Sequence, residues 1–129
     1  MKKLLAVAKK LRFEENFRGY IHMKAIPGAS QLLVREAGSY ADRMSVNIEL
    51  PSEKSLTLLA PDKNGKAILS SMRFMDQETQ QVKRDRKYCP HAPQHFIPAG
   101  QSTQLIIGAS PETDAQVLSL SGSLYKQYR

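Results

Sequence analysis

Three polar side chains alternate with apolar ones in residues 44–50, MSVNIEL. Ser45, Asn47 and Glu49 fall on one face of a strand with this pattern, because successive side chains of a strand point to opposite faces. Their hydroxyl, amide and carboxylate groups can hydrogen-bond a polar ligand. In a barrel-type sheet, ligands bind at the carboxyl ends of the strands. The pattern therefore predicts a ligand site, and an exposed edge strand or a buried polar network are the alternatives.

The elements that must position these groups alternate between helices and strands. Strands are predicted over 20–26, 44–50 and 103–109, and helices over 2–12, 31–37, 51–59, 64–72 and 111–124. Ser30 is predicted to cap the second helix and Gly38 to end it. Since parallel neighbours need crossover connections, this order predicts an α/β fold with three parallel strands. Gly108, after the third strand, would allow a ligand to approach the backbone closely.

A basic cluster marks the polar segment 76–97, which is predicted to be either a frayed helix or a surface loop. Lys83, Arg84, Arg86 and Lys87 form this cluster, and Tyr88 lies beside it. The cations could contact phosphates while the ring stacks on a base. The alternative is an ordinary solvated run of charge.

Composition gives looser bounds on class and compartment. The 129 residues fit one domain, and 19 Lys and Arg against 12 Asp and Glu leave a net charge of +7. This excess favours anionic partners such as DNA, or serves solubility alone. One cysteine excludes an internal disulfide, and lysines interrupt the first apolar run too early for a signal peptide. No apolar run is long enough for a membrane span, so a cytoplasmic protein is expected.

The segment 89–95, CPHAPQH, holds three potential metal ligands, Cys89, His91 and His95. A closed zinc site needs about four ligands, and two prolines disfavour the compact turn it would require. The interpretation we favour is a loop without metal. No Ser-His-Asp arrangement, phosphate loop or dinucleotide-binding fingerprint is visible.

Four segments together resemble one known family. They are GYIHMKAIPGAS (19–30), ADRMSVNIELPSE (41–53), LLAPDK (58–63) and PAGQSTQLIIGASPETD (98–114). They resemble the radical SAM family associated with DNA modification or repair and with a uracil-DNA-glycosylase-like partner. The resemblance implies a partial (β/α) barrel that binds a [4Fe-4S] cluster and S-adenosylmethionine, and that cleaves the latter reductively to a 5′-deoxyadenosyl radical. It also implies that Ser45, Asn47 and Glu49 hold the ribose and carboxylate of S-adenosylmethionine, and that Ile106 and Gly108 support its adenine.

The chain departs from that family in two respects. Cys89 alone cannot supply the three thiolates of the family's C-x3-C-x2-C loop, which holds the cluster. Half of the motif G-x-I-x-G-x-x-E matches, with Glu112 one residue late. The resemblance thus implies a slice from the middle of the barrel that keeps part of the S-adenosylmethionine pocket and is inactive alone. Its expected partners are the missing barrel portion, a uracil-DNA-glycosylase-like protein or DNA; the alternative is a small basic nucleic-acid-associated module without catalysis.

Overall fold

The computed structural model describes residues 1–89, 91 and 95–128. In these residues the chain forms an α/β fold with five helices and three short strands. Their order is α1 (Lys2–Phe13), β1 (His22–Lys24), α2 (Gln31–Tyr40), β2 (Arg43–Ser45), α3 (Glu53–Leu59), α4 (Gly65–Tyr88), β3 (Gln101–Ser102) and α5 (Asp114–Gln127). The predicted alternation of helices and strands is confirmed.

The strands form one parallel sheet in the order β1-β2-β3. Strands that follow one another along the chain are therefore neighbours in the sheet. Because crossovers between parallel strands are almost always right-handed, such an order places the connecting helices on one face. Helix α2 accordingly contacts both α1 and α4.

The core lies on this helical face. Met23 and Met44 are buried there, and Gln101 donates from Nε2 to the Met72 carbonyl of α4 at 3.2 Å. The register pairs His22 with Arg43 and Lys24 with Ser45. Side chains alternate along a strand, so these four point to the opposite face. The sheet thus has one apolar face under helices and one polar face.

One predicted helix cap is confirmed, and a second, at Ser52, was not predicted from the sequence. Ser30 caps α2 by accepting from the Leu33 N–H at 3.4 Å, as predicted. Ser52 caps α3 through the Ser55 N–H at 3.1 Å. Each of these caps satisfies one of the N–H groups that the first turn leaves unpaired.

The predicted helix end at Gly38 is wrong. Helix α2 continues to Tyr40, and Gly38 lies buried inside it. A Cβ atom at Gly38 would lie 2.2 Å from Cε2 of Phe96, whose buried ring packs on this turn. The Ile97 N–H also donates to the Gly38 carbonyl at 2.9 Å. Gly38 therefore serves close packing of the 96–97 segment on α2.

The observed end of the fourth helix also differs from the predicted one. The polar segment is helical as far as Tyr88, so the loop alternative for 76–88 is wrong, and Gln81 donates to Asp85 at 2.7 Å within it. Glutamine, glutamate, lysine and arginine are good helix formers, which sustains α4 beyond its last buried residue, Met75. The segment 89–95, interpreted above as a loop without metal, includes residues 90 and 92–94, which lie outside the described residues, whereas its three potential ligands, Cys89, His91 and His95, are described.

The strands are shorter than predicted. Strand β2 ends at Ser45 instead of running to residue 50, and β3 occupies Gln101–Ser102 instead of 103–109. Beyond them only one isolated parallel bridge, between Glu49 and Leu105, is present in the described residues. The predicted unbroken strands over 44–50 and 103–109 are therefore wrong.

Two glycines give a matched test of the packing at α2. We expect Gly38→Ala to destabilise the protein by about 1–3 kcal/mol, because the new methyl group overlaps Phe96. Gly122→Ala, in α5 with nothing within 4 Å of the added Cβ, is the control and should stabilise it by about 0.5–1 kcal/mol. Urea unfolding of both variants measures the difference. Equal effects at the two sites would contradict the packing role of Gly38.

Candidate functional site

The segments that follow β2 and β3 are joined by backbone hydrogen bonds at the carboxyl edge of the sheet. The Glu49 N–H donates to the Gln104 carbonyl at 3.1 Å, and the Ile106 N–H donates to the Glu49 carbonyl at 2.8 Å. The Ile48 N–H donates instead to the hydroxyl of Thr103 at 3.1 Å. These bonds hold the two segments side by side where parallel sheets commonly carry their sites.

A cleft of about 440 Å³ opens between these segments. Its lining consists of Asn47, Glu49, Gln104, Leu105 and Ile106. Asn47 donates from Nδ2 to Oε1 of Gln104 at 3.4 Å, a long bond that joins the two walls. This bond uses the Asn47 side-chain amino group and the Gln104 side-chain oxygen, so the other half of each amide can still accept or donate a hydrogen bond.

The acidic group of the cleft is balanced by one lysine. The Glu49 carboxylate lies 3.6 Å from Nζ of Lys63, which follows α3. The Lys63 side chain is 41% exposed and the Glu49 side chain 22%, so solvent partly screens the pair and its contribution to stability is modest. The carboxylate can therefore exchange this partner for ligand hydroxyls at small cost.

Glu49 also has an unusual backbone. Its φ is +72°, in the left-handed region that favours glycine. For a non-glycine residue this conformation costs on the order of 1 kcal/mol or more. The two backbone hydrogen bonds to residues 104 and 106 hold it there. Strain of this kind is concentrated at ligand sites, which makes Glu49 a candidate functional residue.

The structure brings some of the predicted site residues together and leaves others apart. Asn47, Glu49 and Ile106 line one cleft. Ser45 does not line it, and is buried in β2 with 8% of its surface exposed. Gly108 lies further along the loop, exposed and at a φ of +84°. The basic residues lie elsewhere, exposed on the last turns of α4; they are Lys83, Arg84, Arg86 and Lys87.

A cluster of three serine hydroxyls around the Glu112 carboxylate fixes the loop that carries Ile106, and sequence reasoning missed it. The Glu112 carboxylate accepts hydrogen bonds from the hydroxyls of Ser110, of Ser52 at 2.5 Å and of Ser55 at 2.5 Å. Ser52 and Ser55 belong to the start of α3, so the cluster ties the two loops after β2 and β3. The hydrogen bonds from Ser110, Ser52 and Ser55 lower the pKa of Glu112 to about 2.

No signal in the sequence could have joined these groups. Glu112 lies 60 positions from Ser52 and 57 from Ser55. The spacing of Ser52 and Ser55 indicates a helix start and nothing further. A contact of this separation follows only from the packing of both loops at one edge of the sheet.

No protein-family model, curated protein or solved structure matches the chain. Within the described residues, no helix is both long and apolar enough to cross a membrane. In the same residues, no three His, Cys, Asp or Glu side chains gather as a metal site would require. The function therefore has to be inferred from the cleft and its surroundings.

The Glu112 cluster predicts a defined pH dependence of stability. A carboxylate whose pKa falls from 4.5 to about 2 on folding stabilises the fold fully above pH 4.5, and this contribution is lost as the pH falls toward 2. Glu112→Gln should therefore unfold at lower urea concentration than the wild type near pH 7. The deficit should shrink between about pH 4.5 and 2.

The control for this test is Glu15→Gln, which removes the same charge from an exposed position in the loop after α1. It should unfold at the wild-type urea concentration at pH 7. A Glu112→Gln deficit that stays constant down to pH 2 would mean that the loss comes from packing and not from the ionised carboxylate.

Proposed function

We propose that the cleft at the ends of β2 and β3 binds the adenosyl part of S-adenosylmethionine, and that the chain forms part of a radical SAM barrel acting in DNA modification or repair. One observation carries the proposal. Asn47 and Gln104, 57 positions apart in the chain, form a single cleft with Glu49 and Ile106. The sequence resemblance had assigned Asn47, Glu49 and Ile106 to this ligand.

The chemistry of the lining suits an adenosyl group. A carboxylate accepts hydrogen bonds from vicinal hydroxyls, so Glu49 is suited to bind the two hydroxyls of the ribose. The side-chain amides of Asn47 and Gln104 can form hydrogen bonds with the other polar groups of the adenosyl part. Ile106 is 54% exposed and supplies an apolar surface for a flat ring. Ligand sites commonly combine such an apolar wall with a few placed polar groups.

The sheet topology supports a barrel sector. Consecutive parallel strands with helices on one face repeat the unit from which a (β/α) barrel is built. In a barrel, the face without helices points to the interior. His22, Lys24, Arg43 and Ser45 would then line that interior, and the cleft would lie at its carboxyl mouth.

A [4Fe-4S] cluster does not fit the donors of this chain. Clusters of this type are held by several thiolates, and Cys89 is the one cysteine of the sequence. It is exposed, at the residue that follows α4. The chain alone would therefore hold S-adenosylmethionine without cleaving it, and a companion polypeptide would supply the thiolates.

Calorimetric titration with S-adenosylmethionine tests this function. Asn47→Ala and Gln104→Ala should each weaken binding roughly three- to tenfold, the equivalent of one hydrogen bond. Gln77→Ala, on an exposed turn of α4, is the matched control and should bind as the wild type does. Wild-type protein that does not bind, or cleft variants that bind unchanged, would refute the proposal.

A second candidate function rests on a different surface. Four exposed cations, Lys66, Arg73, Arg84 and Lys87, recur at helical spacing along one side of α4. They span about 32 Å at 1.5 Å per residue. Lys83 and Arg86 add charge near the end of this row. Such a row suits a phosphate backbone, which favours the alternative of a small nucleic-acid-associated module.

Salt dependence distinguishes this second function. If the row contacts DNA, Arg73→Gln/Arg84→Gln should lower the slope of log affinity against log salt by about 1.8, near 0.9 for each lost phosphate contact. Lys2→Gln/Lys3→Gln on α1 removes the same charge from an exposed region and is the control. Fluorescence anisotropy with a labelled duplex measures both. An equal loss in the control would show that only net charge matters.

A further inference from the structure

A second cavity, of about 370 Å³, lies beside β3 and is closed on one side by α5. Its polar groups include Arg43, Gln101 and Ser102, and its apolar wall includes Leu124, Tyr125 and Tyr128. Leu105 lines both this cavity and the cleft described above, but no polar residue is shared. The volume falls within the range of small-molecule sites, which begins at about 300 Å³.

Two residues that line this cavity each carry a buried polar atom with no hydrogen-bond partner among the described residues. These atoms are Nε of Arg43 and Oε1 of Gln101. The Gln101 amide is held in place by its Nε2, which donates to the Met72 carbonyl at 3.2 Å. A buried donor or acceptor left without a partner is costly, so such atoms point to a group that completes them. The residues that carry this donor and this acceptor line the same cavity.

The charge of the cavity favours an anion. Arg43 forms no ion pair with any carboxylate in the part of the chain that the structure describes. Among the residues that the structure describes, no acidic side chain lines the cavity. His22 lies beside Arg43 in the sheet register, and Lys24 lies on the same face. A guanidinium in these surroundings is suited to bind carboxylate or phosphate oxygens.

The opposite wall favours an aromatic group. Tyr125 and Tyr128 are three residues apart at the end of α5, so they lie on the same side of the chain. Tyr125 is 80% exposed, which leaves its ring available for stacking. Ring stacking on tyrosine is effective for any flat heterocycle.

We propose that this cavity binds a small aromatic anion of the size of a nucleoside monophosphate, with its anionic group on Arg43 and its ring on Tyr125 and Tyr128. Since the polar residues that line it differ from those of the S-adenosylmethionine cleft, the site is independent of that function.

Calorimetry with uridine and adenosine monophosphates tests the site, beside the two nucleosides and inorganic phosphate. The monophosphates should bind at least tenfold more tightly than the nucleosides or phosphate alone. Arg43→Gln should weaken their binding about tenfold, as expected for a lost charge-assisted hydrogen bond, whereas Lys3→Gln should not. Tyr125→Leu should weaken it at least fivefold through lost stacking. Tyr88→Leu is its control, since Tyr88 is 79% exposed and lies outside the cavity.

Three outcomes would overturn the proposal. They are no binding of either monophosphate, equal binding of phosphate alone, and unchanged binding in Tyr125→Leu. The tyrosine variant keeps the test valid if Arg43→Gln does not fold, because Tyr125 is largely exposed. Asn47→Ala should leave monophosphate binding unchanged, so failure of the S-adenosylmethionine cleft and failure of this site can be told apart.

Discussion

The candidate cleft depends on one stretch of backbone pairing, in which residues 46–49 bond to residues 102–106. Parallel neighbours must be joined by a long crossover, so α3 and α4 lie in the chain between the two walls of the cleft. Strand β3 itself has two residues, and the pairing beyond it is therefore what fixes Gln104 and Ile106 against Asn47 and Glu49. Glu112 reinforces it by tying the following loop to α3.

Features determined within a few residues of sequence were predictable. The cap at Ser30 was predicted because a cap joins a side chain to an N–H three residues further along the chain. The alternation of helices and strands likewise gave the parallel α/β sheet. Gly38 shows the limit of local reasoning, since a glycine suits both a helix end and a tight packing contact. Its partner Phe96 is remote in sequence, and no residue near Gly38 indicates that an aromatic ring packs there.

The site was predictable in part for the same reason. Period-two alternation placed Asn47 and Glu49 at a strand end, but it could not show that the strand stops at Ser45. Nor could it show that Glu49 adopts a left-handed backbone, because pairing with residues 104 and 106 imposes that conformation. Contacts made by Gln104 and Glu112 join residues 57 or more positions apart. Such contacts are products of the tertiary fold.

The side-chain amide resonances of Asn47 and Gln104, followed by NMR during titration with S-adenosylmethionine, test the proposed cleft most directly. Both pairs of resonances should shift along a single saturating curve, together with backbone amides of residues 46–50 and 103–108. The backbone amide resonances of the basic end of α4 should not shift. Shifts confined to α4, or no shift at saturating ligand, would contradict the assignment of this cleft to S-adenosylmethionine.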